Sequence, residues 1–287
     1  MSSSFNRITV LGAGVLGAQI SFQIAYSGFE VTTYDISDAA LKQARQRFDG
    51  IAAAYPTEVA GATAAAAQET IERIRFTSEL PSAVQGADLV IEAVPENLEL
   101  KRDVFARIAA FAPPAAVVVT NSSTLLPSDL MDSTGRPDRF LALHFANHIW
   151  VNNIAEVMGS PKTDPRVYQR VVAFAKDIGM VPIELHKEQP GYIVNSLLGP
   201  LLMAAAGLLL RGVADPATID TTWRIATGAP KGPFEIFDVI GLRTAYAVAN
   251  AGGRDRQAWA DYLKTNYIDQ GKLGVESGEG FYTYTMS

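Results

Sequence analysis

A histidine and a glutamate twelve residues apart, His144 and Glu156, close or occupy strand-like runs, LALH and IAEVM. An imidazole beside a carboxylate suits general acid/base chemistry, because the acid fixes one tautomer and stabilises the protonated ring. Only three histidines are present; His148 falls in a loop and His186 in the polar run HKEQ, and both read as solvated or structural. With no cysteine, the chain has no thiol nucleophile, thiolate metal site or disulfide, and no metal is expected. Ser122 and Ser123 follow the run AVVVTN, and Asn195 stands early in a later apolar helix. Ser122 reads as a turn or cap. A lone histidine at a strand end is more often structural than catalytic, so its neighbours must decide its role.

Those neighbours begin with ITVLGAGVLG, residues 8–17, which joins a β-type run to Gly12-Ala13-Gly14-Val15-Leu16-Gly17 and then to a helical pattern. This is a dinucleotide-binding fingerprint in its proper setting. Gly12 makes the tight turn, Gly14 admits a diphosphate to the backbone, and Gly17 lets the helix pack closely. The helix N-terminus then offers unpaired N–H groups to the anion. A second run, Glu30 to Tyr34, ends at Asp35, eighteen residues past Gly17, where a carboxylate meets adenosine ribose hydroxyls. Ile36 and Ser37 follow it, with no cation for a 2′-phosphate, so NAD(H) is expected over NADP(H). A nicotinamide site nearby turns His144 from a structural residue into a candidate proton carrier.

At 287 residues, 48% hydrophobic and 19% charged, the chain has room for two modest globular domains. A formal charge of -6 with no basic stripe argues against nucleic acid and for a small-molecule partner. The first residues, MSSSFN, are expected to be disordered and lack the pattern of a secretory signal. The longest apolar run, Leu197 to Leu210, is 14 residues and contains Gly199, Pro200 and Gly207. It falls short of the ~20 residues that span a bilayer, so it reads as a buried or subunit-interface helix. No membrane association and a reducing cytoplasm are the expectations.

Strand-like runs alternate with helical ones through residue 185: Ile8–Leu11, Val31–Tyr34, Leu89–Ala93, Val117–Thr120, Phe140–Phe145, Ile154–Met158 and Met180–Leu185. Such alternation predicts an α/β fold, a mostly parallel sheet with helices on both faces. Between 38 and 74 an alanine-rich stretch predicts a two-helix insertion, and Asp164-Pro165 opens a helix that Gly179 closes. Beyond Gln189-Pro190-Gly191 helices dominate, over about 191–211, 216–228, 233–250 and 256–269. A Rossmann-type domain over 1–187 and a smaller all-helical domain over 188–287 follow, with no flexible linker or internal repeat. The helical domain, with its apolar helix, is expected to form the substrate cleft and a homodimer interface.

Eight motifs occur in order: LGAGVLG, EAVPE, TNSSTL, LHFAN, AEVM, PGYIVNSLL, GAPKGPFE and GEGFYTY. Together they resemble the 3-hydroxyacyl-CoA dehydrogenase family over essentially the whole chain. LHFANHIWVNN and WRIATGAPKGPFEIFD are similar to its bacterial diketoreductase branch. The resemblance implies His144 as catalytic histidine, Glu156 as the acid orienting it, and Ser123 and Asn195 as partners of the substrate oxygen. It also places Gly12, Gly14, Val15, Leu16, Gly17, Asp35, Glu96, Lys101, Asn121 and Asn147 at cofactor contacts. The implied reaction interconverts 3-oxo and (S)-3-hydroxy acyl compounds with NAD(H).

Three departures qualify that picture. Ile51 and Glu58 stand where the family's CoA-thioester enzymes carry a Ser and a Lys toward CoA, although Arg45 and Arg47 lie nearby. His148 and Trp150 alter the segment after Asn147, and Glu276 replaces a basic residue near the C-terminus. An acid where an anionic tail wants an ammonium group favours a diketoreductase-like β-keto ester reductase. The alternatives are a 3-hydroxyacyl-CoA dehydrogenase of fatty acid metabolism and a non-catalytic, crystallin-like NAD-binding protein.

Overall fold

The computed structural model describes residues 5–284. The strands are β1 (Arg7–Leu11), β2 (Glu30–Tyr34), β3 (Arg75–Thr77), β4 (Leu89–Glu92), β5 (Val117–Thr120), β6 (Phe140–Phe145), β7 (Ile154–Gly159) and β8 (Val181–Leu185). Between them run α1 (Val15–Tyr26), α2 (Asp38–Glu58), α3 (Ala64–Arg73), α4 (Leu80–Val84), α5 (Leu98–Phe111), α6 (Pro127–Leu130) and α7 (Pro165–Asp177). Among the described residues all eight strands form one sheet in the order β3-β2-β1-β4-β5-β6-β7-β8. Every pairing is parallel except β6 with β7.

Alternate strand residues point to opposite faces, and each face has its own helices. Ile8, Val10, Ile91, Val119 and Leu143 pack with α1 and α7 residues such as Phe22, Ile24, Val171 and Phe174. Leu11, Val90, Val118 and Phe140 pack with Phe105 and Ile108 of α5. Because β4, β5 and β6 run parallel to β1, the carboxyl ends of all four strands lie along one edge of the sheet. The order reverses between β1 and β4, and ligands of such sheets bind at that switch point.

The two-helix insertion is present as α2 and α3, and Ser37 and Thr63 cap them by accepting from Ala40 N and Ala66 N. Strand β3 is only three residues, RFT, too short for its alternation to stand out in the sequence. The expected disorder of MSSSFN concerns mainly Met1–Ser4, which lie outside the described residues. Phe5 is an exception to that expectation: it is buried at 1%, edge-on to Phe174 and beneath the Arg170 guanidinium.

The chain divides into two compact units, one ending at Ile193 and the other starting at Val194. The division falls a few residues beyond the boundary expected near 188. The second unit continues α8 (Tyr192–Leu210) into α9 (Pro216–Thr227), α10 (Pro233–Ile240), α11 (Leu242–Ala251) and α12 (Arg254–Asn266). A single helix was expected over 233–250; Gly241, at φ +89°, breaks it into α10 and α11. Leu202, Phe234, Phe237, Leu242, Trp259 and Leu263 form this unit's own core. Helix α8 is 19 residues with mean hydropathy 2.0 and is long and apolar enough to cross a membrane by composition, five residues longer than the run read from the sequence. Only 17% of its apolar window is buried: Leu202, Ala205 and Ala206 join the core of this unit, while Leu197 is 71% exposed.

Candidate active site

The register of β6 on β7 places His144 directly opposite Glu156. Directly opposed residues of an antiparallel pair share a face with Cβ atoms about 5 Å apart, within reach of a hydrogen bond between long side chains. His144 Nδ1 lies 3.0 Å from Glu156 Oε2, and both side chains are buried. On the other side of the ring, Nε2 lies 3.1 Å from Ser123 Oγ. With Nδ1–H donating to the carboxylate, Nε2 is free to exchange a proton with Ser123 or with a substrate oxygen. Glu156 Oε1 accepts from the Ile193 N–H at 2.8 Å, which fixes the carboxylate from behind.

Tyr192 was not among the residues singled out from the sequence. Its ring stacks on the His144 imidazole at 4.4 Å between centroids and 16° between planes. Its hydroxyl donates to the Ser122 carbonyl at 2.8 Å. Nothing within the motif PGYIVNSLL signals this contact, because it depends on how the chain re-enters after β8. Asn195 lies in the first turn of α8 and is exposed, in the second unit. His186 is exposed as expected.

At the end of β1, Gly12 takes φ +96°, and a Cβ there would sit 2.5 Å from the Ala93 carbonyl oxygen. A Cβ on Gly17 would lie 1.8 Å from the Gly12 carbonyl oxygen, so turn and helix meet as closely as backbone allows. Gly14 faces open space and precedes α1 with no side-chain cap, which leaves the N–H groups of the first turn, Val15 and Leu16 included, open to an anion. Asp35 follows β2, accepting from Ala13 N at 2.8 Å and Ile36 N at 2.7 Å. Each carboxylate oxygen keeps a lone pair for a ribose hydroxyl. These residues fit a dinucleotide.

Behind the site runs a chain of charges. Lys101 is 1% exposed and donates to Glu92 Oε1 at 2.6 Å and to the Val94 carbonyl at 3.1 Å, with Glu96 Oε2 at 3.4 Å. Its three hydrogens thus have acceptors inside the protein. Burial raises the Glu92 carboxyl, and the ammonium of Lys101 and the hydroxyl of Thr120 draw it back only in part. Burial also works against the charge of Glu96, but hydrogen bonds from Ser122 Oγ, Thr124 Oγ1 and Thr124 N, with Lys101, outweigh it and hold that carboxyl at about 2. Ser122 is therefore a turn residue with a tie to Glu96, and Ser123 is left facing His144. Asn121 accepts from Phe145 N at 2.9 Å, bridging the ends of β5 and β6.

The segment after β6 is pinned to two helices. Gln19 of α1 donates to Asn147 Oδ1 at 2.8 Å and accepts from His148 N at 2.8 Å. Glu58 at the end of α2 accepts from Trp150 Nε1 at 2.5 Å and His148 Nε2 at 2.6 Å. These bonds, from Trp150 first, lower the Glu58 carboxyl below its ordinary range. Arg45 lies over the Phe76 ring, and Arg47 reaches toward the Ala13 carbonyl at 3.5 Å. A cavity of about 300 Å³ beside the glycine turn is lined by Val15, Gln19, Arg47, Ile51, Ala54 and Trp150. Glu276 is exposed.

A turn shaped for a diphosphate, beside a carboxylate–imidazole–hydroxyl relay, leaves one class of protein: a dehydrogenase that works with NAD(H). The chain belongs to the 3-hydroxyacyl-CoA dehydrogenase family, whose NAD binding domain matches residues 7–189 and whose C-terminal domain matches 191–284. A diketoreductase, solved in work on substrate-directed dual catalysis of dicarbonyl compounds, is 62% identical with a TM-score of 0.95, covering 99% of this chain and 100% of that one. The (S)-3-hydroxybutyryl-CoA dehydrogenase from Ralstonia eutropha is 29% identical with a TM-score of 0.83, covering 99% and 100%. The mitochondrial hydroxyacyl-coenzyme A dehydrogenase of Rattus norvegicus is 33% identical, covering 97% of this chain and 91% of that protein.

Proposed function

We propose that the protein is an NADH-dependent β-keto reductase, or β-hydroxy dehydrogenase in reverse, acting on free or esterified 3-oxo compounds, 3,5-dioxo esters included. The observation that carries this reading is the relay Ser123–His144–Glu156 at the sheet edge that also carries the glycine turn. When bound, the nicotinamide supplies or accepts the hydride. The chain supplies position and a proton: His144 Nε2 gives its proton to the oxygen that becomes a hydroxyl, Ser123 Oγ steadies that oxygen, and Glu156 compensates the ring's charge. Asn195 is assigned to the same oxygen by family resemblance, as is the (S)-alcohol.

Two observations favour small esters over CoA thioesters. The 62% identical relative is a diketoreductase. Glu58, at a family CoA-contact position, is a carboxylate held in place by Trp150 and His148, and it repels an anionic tail. An NADH-oxidation assay comparing acetoacetyl-CoA with ethyl acetoacetate and a 3,5-dioxo ester tests the reading. The esters are expected to give the higher kcat/KM, and a strong preference for the thioester would establish a 3-hydroxyacyl-CoA dehydrogenase instead. The intact relay speaks against a non-catalytic, crystallin-like role.

Residues 1–187 serve as the NAD-binding domain and 188–287 as a helical domain, in this reading. The apolar surface of α8, with Ile193, Leu197 and Leu210 exposed, is assigned to a homodimer contact in a cytoplasmic enzyme. Light scattering should give twice the chain mass; a monomer, or capture by lipid vesicles, would overturn that assignment.

A further inference from the structure

Tyr192 combines four features that a packing residue does not need together. It is a non-glycine residue at φ +53°, a conformation that L side chains adopt only at a cost. Its N–H donates to the Gln189 carbonyl at 3.0 Å, which closes the turn through Pro190 and Gly191. The ring is 1% exposed, lies parallel to the His144 imidazole, and rests among Ala142, Met158 and Leu185. Its hydroxyl holds the Ser122 carbonyl, one residue before Ser123, and the next N–H in the chain holds Glu156. One strained residue thus touches, directly or through its neighbour, all three members of the relay.

We propose that Tyr192 is a positioning residue for the proton relay, its ring acting as a wall that keeps the imidazole in the plane where Nδ1 meets Glu156 and Nε2 meets Ser123. This rests on the reading of His144 as proton carrier. Without a flat partner the imidazole can rotate about its last torsion, which is broad for an sp³–sp² bond, and a small misalignment is costly to a transfer that needs near-attack geometry. The negative face of the phenol also attracts the ring in its protonated form. Tyr192 is not itself a proton source. Burial, reinforced by the charges of Glu96, Glu156 and Glu92, pushes its hydroxyl far above the ordinary tyrosine range, so it stays a neutral donor to the Ser122 carbonyl.

Variants Tyr192→Phe and Tyr192→Leu, with His144→Gln as reference, separate the possibilities. Phe keeps the wall and loses the tie to Ser122, and its kcat should stay within about threefold of the parent. Leu fills the space without a flat face, and its kcat should fall about 10- to 100-fold. The affinity for NADH should hold, and the solvent deuterium isotope effect on kcat should rise as proton transfer becomes limiting. A Leu variant with parental kcat, or a Phe variant as impaired as Leu, overturns the proposal. Should Leu fail to fold, the His144 ring protons of the parent decide: assigned by their loss in His144→Gln, they must show an upfield ring-current shift that survives in the Phe variant. If His144→Gln itself keeps full turnover, the proton-carrier reading fails and the proposal falls with it; an inactive His144→Gln beside a fully active Tyr192→Leu overturns the positioning role alone.

Discussion

Replacing Glu156 with Gln removes one charge and one hydrogen-bond acceptor from the relay. The amide is nearly the same size and the buried strand position is kept, but its single oxygen can accept from either the His144 Nδ1–H or the Ile193 N–H, not from both. What is lost is the attraction between a carboxylate and an imidazole 3.0 Å away when the ring takes a proton from the substrate hydroxyl. Two unit charges with centres about 4 Å apart attract by about 4 kcal/mol at an effective dielectric of about 20. With the amide oxygen turned to accept from the ring, a neutral hydrogen bond returns about 1 kcal/mol. The remaining ~3 kcal/mol corresponds to about 10²-fold in kcat for oxidation of a 3-hydroxy ester with NAD. The assay is steady-state formation of NADH at saturating substrate, with NADH affinity followed by fluorescence and folding by thermal melting. Unchanged affinity is expected, with melting lowered only as far as one lost buried hydrogen bond lowers it. A fall in kcat of less than about fivefold in a folded variant would show that the buried carboxylate does not compensate the ring, and the electrostatic argument would fail.

Gly17→Ala forces a Cβ to within 1.8 Å of the Gly12 carbonyl oxygen, so turn and helix must move apart; NADH binding should weaken about tenfold or more by fluorescence titration, and an unchanged Kd would refute the close-approach role. Glu58→Lys frees Trp150 and His148 and reverses the local charge; kcat/KM for acetoacetyl-CoA relative to an ester should rise at least several-fold at low salt and less at high salt, and a salt-independent or absent change would count against repulsion at that position. Glu96 has its carboxyl held at about 2 in the fold against the ordinary 4.5, so its contribution to stability is fully present above pH 4.5 and is lost as pH falls toward 2. Urea unfolding should therefore show the gap between the parent and Glu96→Gln narrowing across that window; a gap that widens in acid would contradict the assignment.

Much of the first half of the fold was legible in residue order. The glycine turn, the runs around Ile8, Leu89 and Val117, the cap at Asp164, and the paired helices after Ser37 all arise from constraints acting within a few residues. Two features escaped it, a strand of three residues and the break at Gly241 inside an otherwise continuous helical pattern. Both are short-range signals weaker than their surroundings, settled by pairing and packing with distant segments. The extent of helix α8 was legible, read over about 191–211 and observed over Tyr192–Leu210, but the strained φ of Tyr192 at its start was not.

By itself, then, the sequence determined that a strand–glycine–helix unit opens the chain and that an acid follows the second strand, because backbone sterics and helix ends are local. It named His144 and Glu156 without being able to join them. Their contact exists because β7 runs antiparallel to β6 with His144 opposite Glu156, a register set by sheet pairing and by which side chains can be buried. Tyr192 over the imidazole, Lys101 sealed between two carboxylates, and Glu58 holding Trp150 and His148 were likewise decided only by the tertiary structure. Tyr192 and His144, like Glu58 and Trp150, lie far apart along the chain, and Lys101 is near Glu92 and Glu96 in sequence but meets them only where the end of β4 packs against α5. Folding brings these charges and rings within the few ångströms over which such interactions act.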